Sequence, residues 1–340
     1  MALRLIEMTV CAEHKDAVFD ILEQHPWKNF WQEQSVDNKV LVKFILPADD
    51  TESVLDAMEK RLSGEKDFRI LLIPVEASIP RLESDTELSG EQTTIEPAKQ
   101  EKSNVSRISR EELYSDIQDL TSLSRNFIVM VVLSTLVATI GIARDNVAIV
   151  IGAMVIAPLL GPNMAFSLAS TLGDTELGRV AVKTGSTGTL LSVGISIAIG
   201  AVLTIDPNVH EISSRVGVGV GDIVLALAAG SAGALAFTTG MSSALIGVMV
   251  AVALLPPLVT VGLLFGSGEG KMASGALLLF LTNMICLNLA GIATFLLQGV
   301  RPLSWWEAAV ARKATYRAIV FWGLLLTALI IVVFLSQGRS

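Results

Sequence analysis

Asn146–Asp174, NVAIVIGAMVIAPLLGPNMAFSLASTLGD, is the stretch on which the fold turns. Some 20 apolar residues at about 1.5 Å rise cross the ~30 Å hydrocarbon core of a bilayer, and this stretch is long enough to do so. Its middle carries Pro158, Gly161 and Pro162. Pro162 lacks an N–H and its ring presses on the preceding turn, so the helix is expected to kink or break there. In lipid, a break persists only where neighbouring protein or trapped water pairs the freed carbonyls.

The stretch has an echo in Ser242–Glu269, SSALIGVMVAVALLPPLVTVGLLFGSGE. Setting Gly152 on Gly247, an offset of 95 residues, places Met154 on Met249, Leu159 on Leu254, Leu160 on Leu255 and Pro162 on Pro257. Apolar helices match by chance at Leu and Val. A shared G-x-M-V-x-x-x-L-L-x-P reads instead as an internal repeat.

Composition bounds the class. Of 340 residues, 51% are hydrophobic and 17% charged, with mean hydropathy +0.59. That is too apolar for an ordinary soluble chain. The apolar residues concentrate beyond Asn126, which gives an integral membrane protein with a soluble N-terminal part. A net charge of −8 argues against nucleic acid as a partner. Cys11 and Cys286 lie far apart and read as small hydrophobes, not a disulfide. His14, His25 and His210 are too scattered for a metal cluster, and no metal or other cofactor is expected.

Residues 1–82 read β-α-β-β-α-β, the split ferredoxin-like order. Leu3–Val10 and Lys39–Leu46 alternate like strands, with Trp27–Val36 between them and a turn at Asp37-Asn38. His14–Gln24 and Asp50–Leu62 have helical stripes, the second with Thr51 as its cap. Phe68–Val75 is the last strand. Trp27, Phe30 and Trp31 belong to a core or a subunit contact. Residues 83–107 are rich in Glu, Ser, Thr, Lys and Gln and form a flexible tether. Residues 108–125 form an approach helix, opened by a capping box at Ser109-Arg110-Glu111-Glu112.

About seven spans follow within 126–336, near 126–143, 147–170, 184–204, 220–238, 243–265, 273–297 and 318–336. The offset carries the first three, about 126–204, onto the second three, about 220–297, leaving the last outside the repeat. An odd number of spans per copy forces the second copy to enter from the opposite face. The fold expected is thus a polytopic α-helical membrane protein with an inverted three-plus-three repeat, one further helix, and an N-terminal α+β ferredoxin-like domain. Lys and Arg cluster on one side of the spans: Arg107, Arg110, Arg125, Arg179, Lys183, Arg301, Arg312, Lys313 and Arg317. The other side holds only Arg144, Arg215, Lys271 and Arg339. This places the head in the cytoplasm of an inner-membrane protein and the C-terminus outside, with Trp305 and Trp306 as interfacial anchors.

No span carries an ionisable residue near its centre, which counts against a carboxylate proton relay. H-E-x-x-H, G-x-S-x-G and an aspartate dyad are all missing from the sequence, so an enzyme is not expected. The candidate site is the pair of proline breaks, framing a midplane site from Pro158, Gly161, Pro162, Asn163, Pro256, Pro257, Thr260 and Asn283. The plainer reading is that the prolines kink helices and that Asn283 and Asn288 glue them together. Arg144, Asp145 and Asn146 make a structural corner, read as an ion pair and a helix cap.

Several of these runs resemble one family. They are Arg144-Asp145-Asn146-Val147-Ala148 leading into Ile151–Asn163, and the opening Leu3-Arg4-Leu5-Ile6-Glu7. The family is the prokaryotic "uncharacterised hydrophobic" membrane proteins grouped as domain of unknown function 389. The resemblance implies an inner-membrane protein with a cytoplasmic head, and it brings no catalytic residues. The function expected is a transporter or channel-like protein for a small solute or ion, working as a homo-oligomer in the bilayer with the head as regulator. The rival is a membrane-anchored sensor or scaffold whose soluble domain binds a ligand or partner without transport.

Overall fold

A computed structural model describes residues 3–23, 30–34, 39–62, 68–75, 108–203, 205–240, 243–301, 316 and 319–328. The tether at 83–107, the Asp37-Asn38 turn, Trp27, Trp305 and Trp306 lie outside the described residues, as does most of the last expected span. The chain divides into two compact units, Met1–Glu112 and Leu113–Ser340.

In the first unit the strands are β1 (Leu3–Cys11), β2 (Phe30–Gln34), β3 (Lys39–Pro47) and β4 (Arg69–Val75), with α1 (Lys15–Glu23) and α2 (Ala48–Leu62). The sheet order is β2-β3-β1-β4, all neighbours antiparallel. Alternation explains it: along β1, Arg4, Ile6, Met8 and Val10 are buried while the residues between them are half-buried. Val18 and Leu22 of α1, with Val54, Leu55, Met58 and Leu62 of α2, complete the core.

Two local expectations change. The helix α2 begins at Ala48, so Thr51 lies inside its first turn and donates its hydroxyl to the Pro47 carbonyl at 3.0 Å. Of the expected capping box at the start of α3 (Arg110–Asp119), only one half forms, Glu112 N–H to Ser109 Oγ at 3.3 Å. The Glu112 carboxylate is taken by Arg4, with Nε and Nη2 each 2.9 Å from its two oxygens. A buried guanidinium outcompetes a helix N–H for a carboxylate, because the bidentate charged pair is the stronger bond.

The second unit is helical. It contains α4 (Arg125–Ala143), α5 (Val147–Ile156), α6 (Leu160–Leu172), α7 (Thr175–Val202), the short α8 (His210–Ser213), α9 (Val220–Thr238), α10 (Ser243–Gly266) and α11 (Gly270–Leu297). A further apolar helix, α12, covers Ile319–Ala328. Among the described residues, four helices (α4, α7, α9 and α11) are long and apolar enough to cross a membrane, or five spans if the bent pair α5–α6 counts as one. Their outward residues are apolar, such as Leu190, Val202, Val220, Val224 and Leu297. Thr135, Thr139, Ser192, Ser196, Thr260, Thr282 and Asn288 are buried among the helices. That distribution suits lipid outside and packed protein within.

The element bounds recur at the 95-residue offset. Arg125–Ala143 falls on Val220–Thr238, and Thr175–Val202 falls on Gly270–Leu297. Asp145 has φ 51° and its counterpart Gly240 has φ 70°; Gly173 at 73° matches Gly268 at 88°. The helix contacts are reciprocal too. On α7 and α10, Ser196 faces Gly262, where an added Cβ would collide with the serine. On α11 and α6, Gly291 faces Ser167, whose Oγ would lie 2.8 Å from an added Cβ. These are the same two positions with serine and glycine exchanged.

The corner at 144–146 is built differently from the expectation. Among the described residues Arg144 forms no ion pair with Asp145. Asp145 turns the chain in the left-handed region, and its Oδ1 accepts the Glu211 N–H at 2.8 Å. Asn146 caps α5 by accepting the Ile149 N–H at 3.2 Å. Elsewhere, Tyr114 donates its hydroxyl to Asp174 Oδ2 at 2.8 Å; burial and that carboxylate push the phenol up to about 12.

Candidate functional site

The break lies at Pro158, not at Pro162. Clash with the proline ring pushes the preceding residue out of the helical region, and Ala157 accordingly sits at φ −67°, ψ 120°. This ends α5, and α6 leaves at a 53° bend. Pro162 falls in the first turn of α6, where an N–H would have no helical partner, so its ring is tolerated there. The Leu159 carbonyl is held by Asn163 Nδ2 at 2.8 Å, and the Gly161 carbonyl by Thr121 Oγ1 at 3.3 Å. A side chain at Gly161 would collide with the Leu120 carbonyl, so glycine is needed for that approach.

The expected second break is not there. The helix α10 runs unbroken through Pro256 and Pro257. Thr260 donates its hydroxyl to the Pro256 carbonyl at 2.8 Å and is fully buried. The offset explains the difference: the counterpart of Pro158 is Ala253, so the residue that breaks the first copy is absent from the second. Leu159, beside the break, closes on Gly188 at the middle of α7, together with the ring of Phe127 from the first turn of α4.

Described residues of this unit border two cavities. The larger, about 480 Å³, lies between α6, α7, α10, α11 and α12. Its polar lining is Asn163, Asn288, Ser186 and Thr189; its aromatic lining is Phe166, Phe280, Phe321 and Trp322. Among the described residues, no charged side chain borders it. Three pairs of lining residues are related by the 95-residue offset, namely Leu159 with Leu254, Gly185 with Phe280, and Thr189 with Met284.

One edge of this cavity is a hydrogen-bonded cluster joining α6 to α11. Asn288 Nδ2 donates to Asn163 Oδ1 at 3.1 Å and to the Met284 carbonyl at 2.8 Å, while Ser167 Oγ donates to Asn288 Oδ1 at 3.2 Å. Asn288 is therefore helix glue and cavity wall at once.

The smaller cavity, about 200 Å³, gathers Pro257 and Asn283 with Asp222, Arg215 and Ser214. Asp222 Oδ2 accepts the Gly219 N–H at 2.8 Å, and Arg215 Nη2 pairs with Glu211 Oε2 at 2.9 Å. The corresponding place in the first copy is filled. There Asp222 is replaced by Phe127 and Asn283 by Gly188, and the phenyl ring closes on the glycine.

Of the eight expected site residues, Pro162 and Asn163 line the larger cavity, while Pro257 and Asn283 line the smaller. Pro158, Gly161, Pro256 and Thr260 line neither. The expected single chamber between two facing breaks is replaced by two cavities, each with one of the paired prolines. Sequence reasoning missed Ser186, Thr189 and Trp322. Gly185, Ser186 and Thr189 did signal a small polar face on α7, whereas Trp322 enters only by packing.

The profile of the Domain of unknown function (DUF389) matches residues 154–289. The "Uncharacterized protein MJ0678" of Methanocaldococcus jannaschii is 35% identical over 335 residues, covering 98% of this chain and 99% of that protein. No solved structure matches. With a relative this similar end to end and the profile on its helical unit, the chain belongs to the family of the domain of unknown function 389.

Proposed function

We propose that this protein is a membrane transporter or channel-like protein for a small solute, with the 480 Å³ cavity as its binding chamber. The observation that carries the reading is the cavity's place: both copies wall it, and three pairs of its lining residues are related by the 95-residue offset. The two copies are an inverted pair, each contributing three spans, with a pseudo-two-fold axis in the membrane plane. The exchanged Ser196–Gly262 and Gly291–Ser167 contacts support a two-fold relation. Inverted-repeat transporters place substrates where their repeats meet, often beside interrupted helices. The break at Pro158 supplies such an interruption at the cavity's edge.

The Lys and Arg distribution supports an inner-membrane orientation with the head in the cytoplasm. The smaller cavity then lies towards the outer face and the larger towards the inner, with α11 passing between them through Asn283 and Asn288. The β2-β3-β1-β4 sheet with two helices supports the ferredoxin-like reading of the head, which would serve as regulator of a homo-oligomer.

Osmotic re-swelling of proteoliposomes tests transport. Vesicles holding the protein should re-swell in urea, glycerol or erythritol faster than empty ones, by more than about tenfold for at least one solute. Ser186→Trp, which fills the chamber from a wall position, should abolish the excess. Re-swelling equal to that of empty vesicles for all three, or an excess that survives Ser186→Trp, contradicts the proposal and favours the sensor or scaffold.

A further inference from the structure

The head has an apolar sheet face turned away from its own core. Ile6, Met8, Val42 and Phe44 pack against α1 and α2, so alternation turns Leu5 and Glu7 of β1, with Lys43 and Ile45 of β3, to the other side. Large apolar side chains lie open on that side: Trp31 is 52% exposed, Leu71 48% and Ile73 40%. Trp31 thus turns outward where its neighbour Phe30 packs on the core. Contiguous exposed apolar surface of this kind marks a contact surface.

The strand register orders the face. One row across the four strands reads Trp31, Lys43, Glu7, Leu71, and a neighbouring row on the same side holds Ile45, Leu5 and Ile73. Glu7 and Lys43 form an ion pair at 3.2 Å in the middle of the patch. By register, Glu33 and Arg69 hold the two ends of the row that contains Leu41 and Thr9. In both charged rows the sign changes across the line between β1 and β3. A two-fold axis along that line lays β1 on β3, and β4 on β2, of a second copy. Glu7 of each copy then stands over Lys43 of the other, Leu5 over Ile45, and Leu71 over Trp31. An axis across the strands through the same row would instead stack Glu7 on Glu7 and Lys43 on Lys43, and such like-charge contacts are costly.

We propose that the heads of two copies pair face to face through this sheet, about a two-fold axis running between β1 and β3. Packed sheets keep their strands within about 30° of each other, which preserves the stacking near the axis. Four strands at about 4.8 Å spacing, each about 25 Å long, offer a face of roughly 19 by 25 Å. That falls somewhat short of the ~800 Å² per partner of a standard free-standing complex. Heads already tethered in one oligomer need less, because their contact is intramolecular. The inference rests on the homo-oligomer part of the reading above and not on transport.

Cross-linking of the full chain in proteoliposomes tests it, with Cys11 and Cys286 replaced by alanine. Packed sheets stand about 10 Å apart, so a bismaleimide of about that reach should join Leu5→Cys chains into dimers. Ser53→Cys, exposed on α2 at the helical side, should yield at least tenfold less dimer. Adding Glu7→Lys or Lys43→Glu to Leu5→Cys should each cut the dimer at least fivefold. Mixing those two chains should restore it to within about twofold, as a product containing one of each. A folding defect is not cured by mixing, since each chain still carries its own like-charged pair. Leu5→Cys that stays unlinked overturns the proposal, whether the thiol is bare or shielded by lipid or by the chain itself, and so does mixing that restores nothing. An oligomer with Leu5→Cys unlinked would sink this interface alone. Cross-linking of the expected pattern without solute flux would sink transport and leave the interface standing.

Discussion

Gly262→Ser should destabilise the helical unit by about 1–3 kcal/mol, and adding Ser196→Gly should recover about half of that loss. At this crossing α10 lies so close to α7 that a Cβ on Gly262 meets the Ser196 side chain, the Val193 carbonyl at 2.9 Å and the Ile197 nitrogen at 3.0 Å. Gly200 and Gly266 make similar approaches nearby. Packing at such crossings depends on small residues, because close backbone approach takes the place of a hydrophobic driving force within lipid. The counterpart crossing already holds the exchanged arrangement, serine on α6 and glycine on α11. The double variant copies that arrangement, and only the backbone contacts at Val193 and Ile197 then resist. Thermal midpoints of the two single variants and the double variant measure the coupling. Strict additivity would mean that the two crossings are not equivalent.

Pro158→Ala should cut solute flux at least tenfold while the protein still folds, whereas Pro162→Ala should change flux less than about twofold. Without the ring at 158, Ala157 is free to return to the helical region, and α5 and α6 tend to join. The join swings Asn163 and Phe166 away from α11 and collapses one wall of the chamber. At Pro162 the proline sits where the helix has no use for an N–H, so alanine changes little. Pro257→Ala removes a proline from a helix that is already continuous, and should raise stability without abolishing flux. Equal loss in Pro158→Ala and Pro162→Ala would put the break's importance in doubt.

Much of this was legible in the chain, for physical reasons. The head's strands announce themselves because Leu3–Cys11 and Lys39–Pro47 bury every second residue. The 95-residue echo anticipated helix bounds because a repeated hydrophobic pattern repeats its ends. What failed was choosing between prolines four residues apart. Pro158 and Pro162 look alike in sequence, yet one stops a helix and the other opens the next. Long-range competition was equally hidden: nothing beside Glu112 tells that Arg4, 108 positions away, takes its carboxylate. The chamber itself joins Thr189, Asn288 and Trp322 from three helices, and only packing brings them together.

The central claim is a water-reached chamber between two copies of one fold, and sided thiol labelling tests it most directly. Thr189→Cys is placed in a chain whose Cys11 and Cys286 are replaced by alanine, reconstituted in vesicles, and exposed to a membrane-impermeant cationic thiol reagent from each face in turn. Thr189→Cys should react from one face only, and Ser186→Trp in the same chain should slow that reaction more than tenfold. A thiol at 189 that stays unreactive from both faces would show a chamber sealed in hydrocarbon, and the account would be wrong.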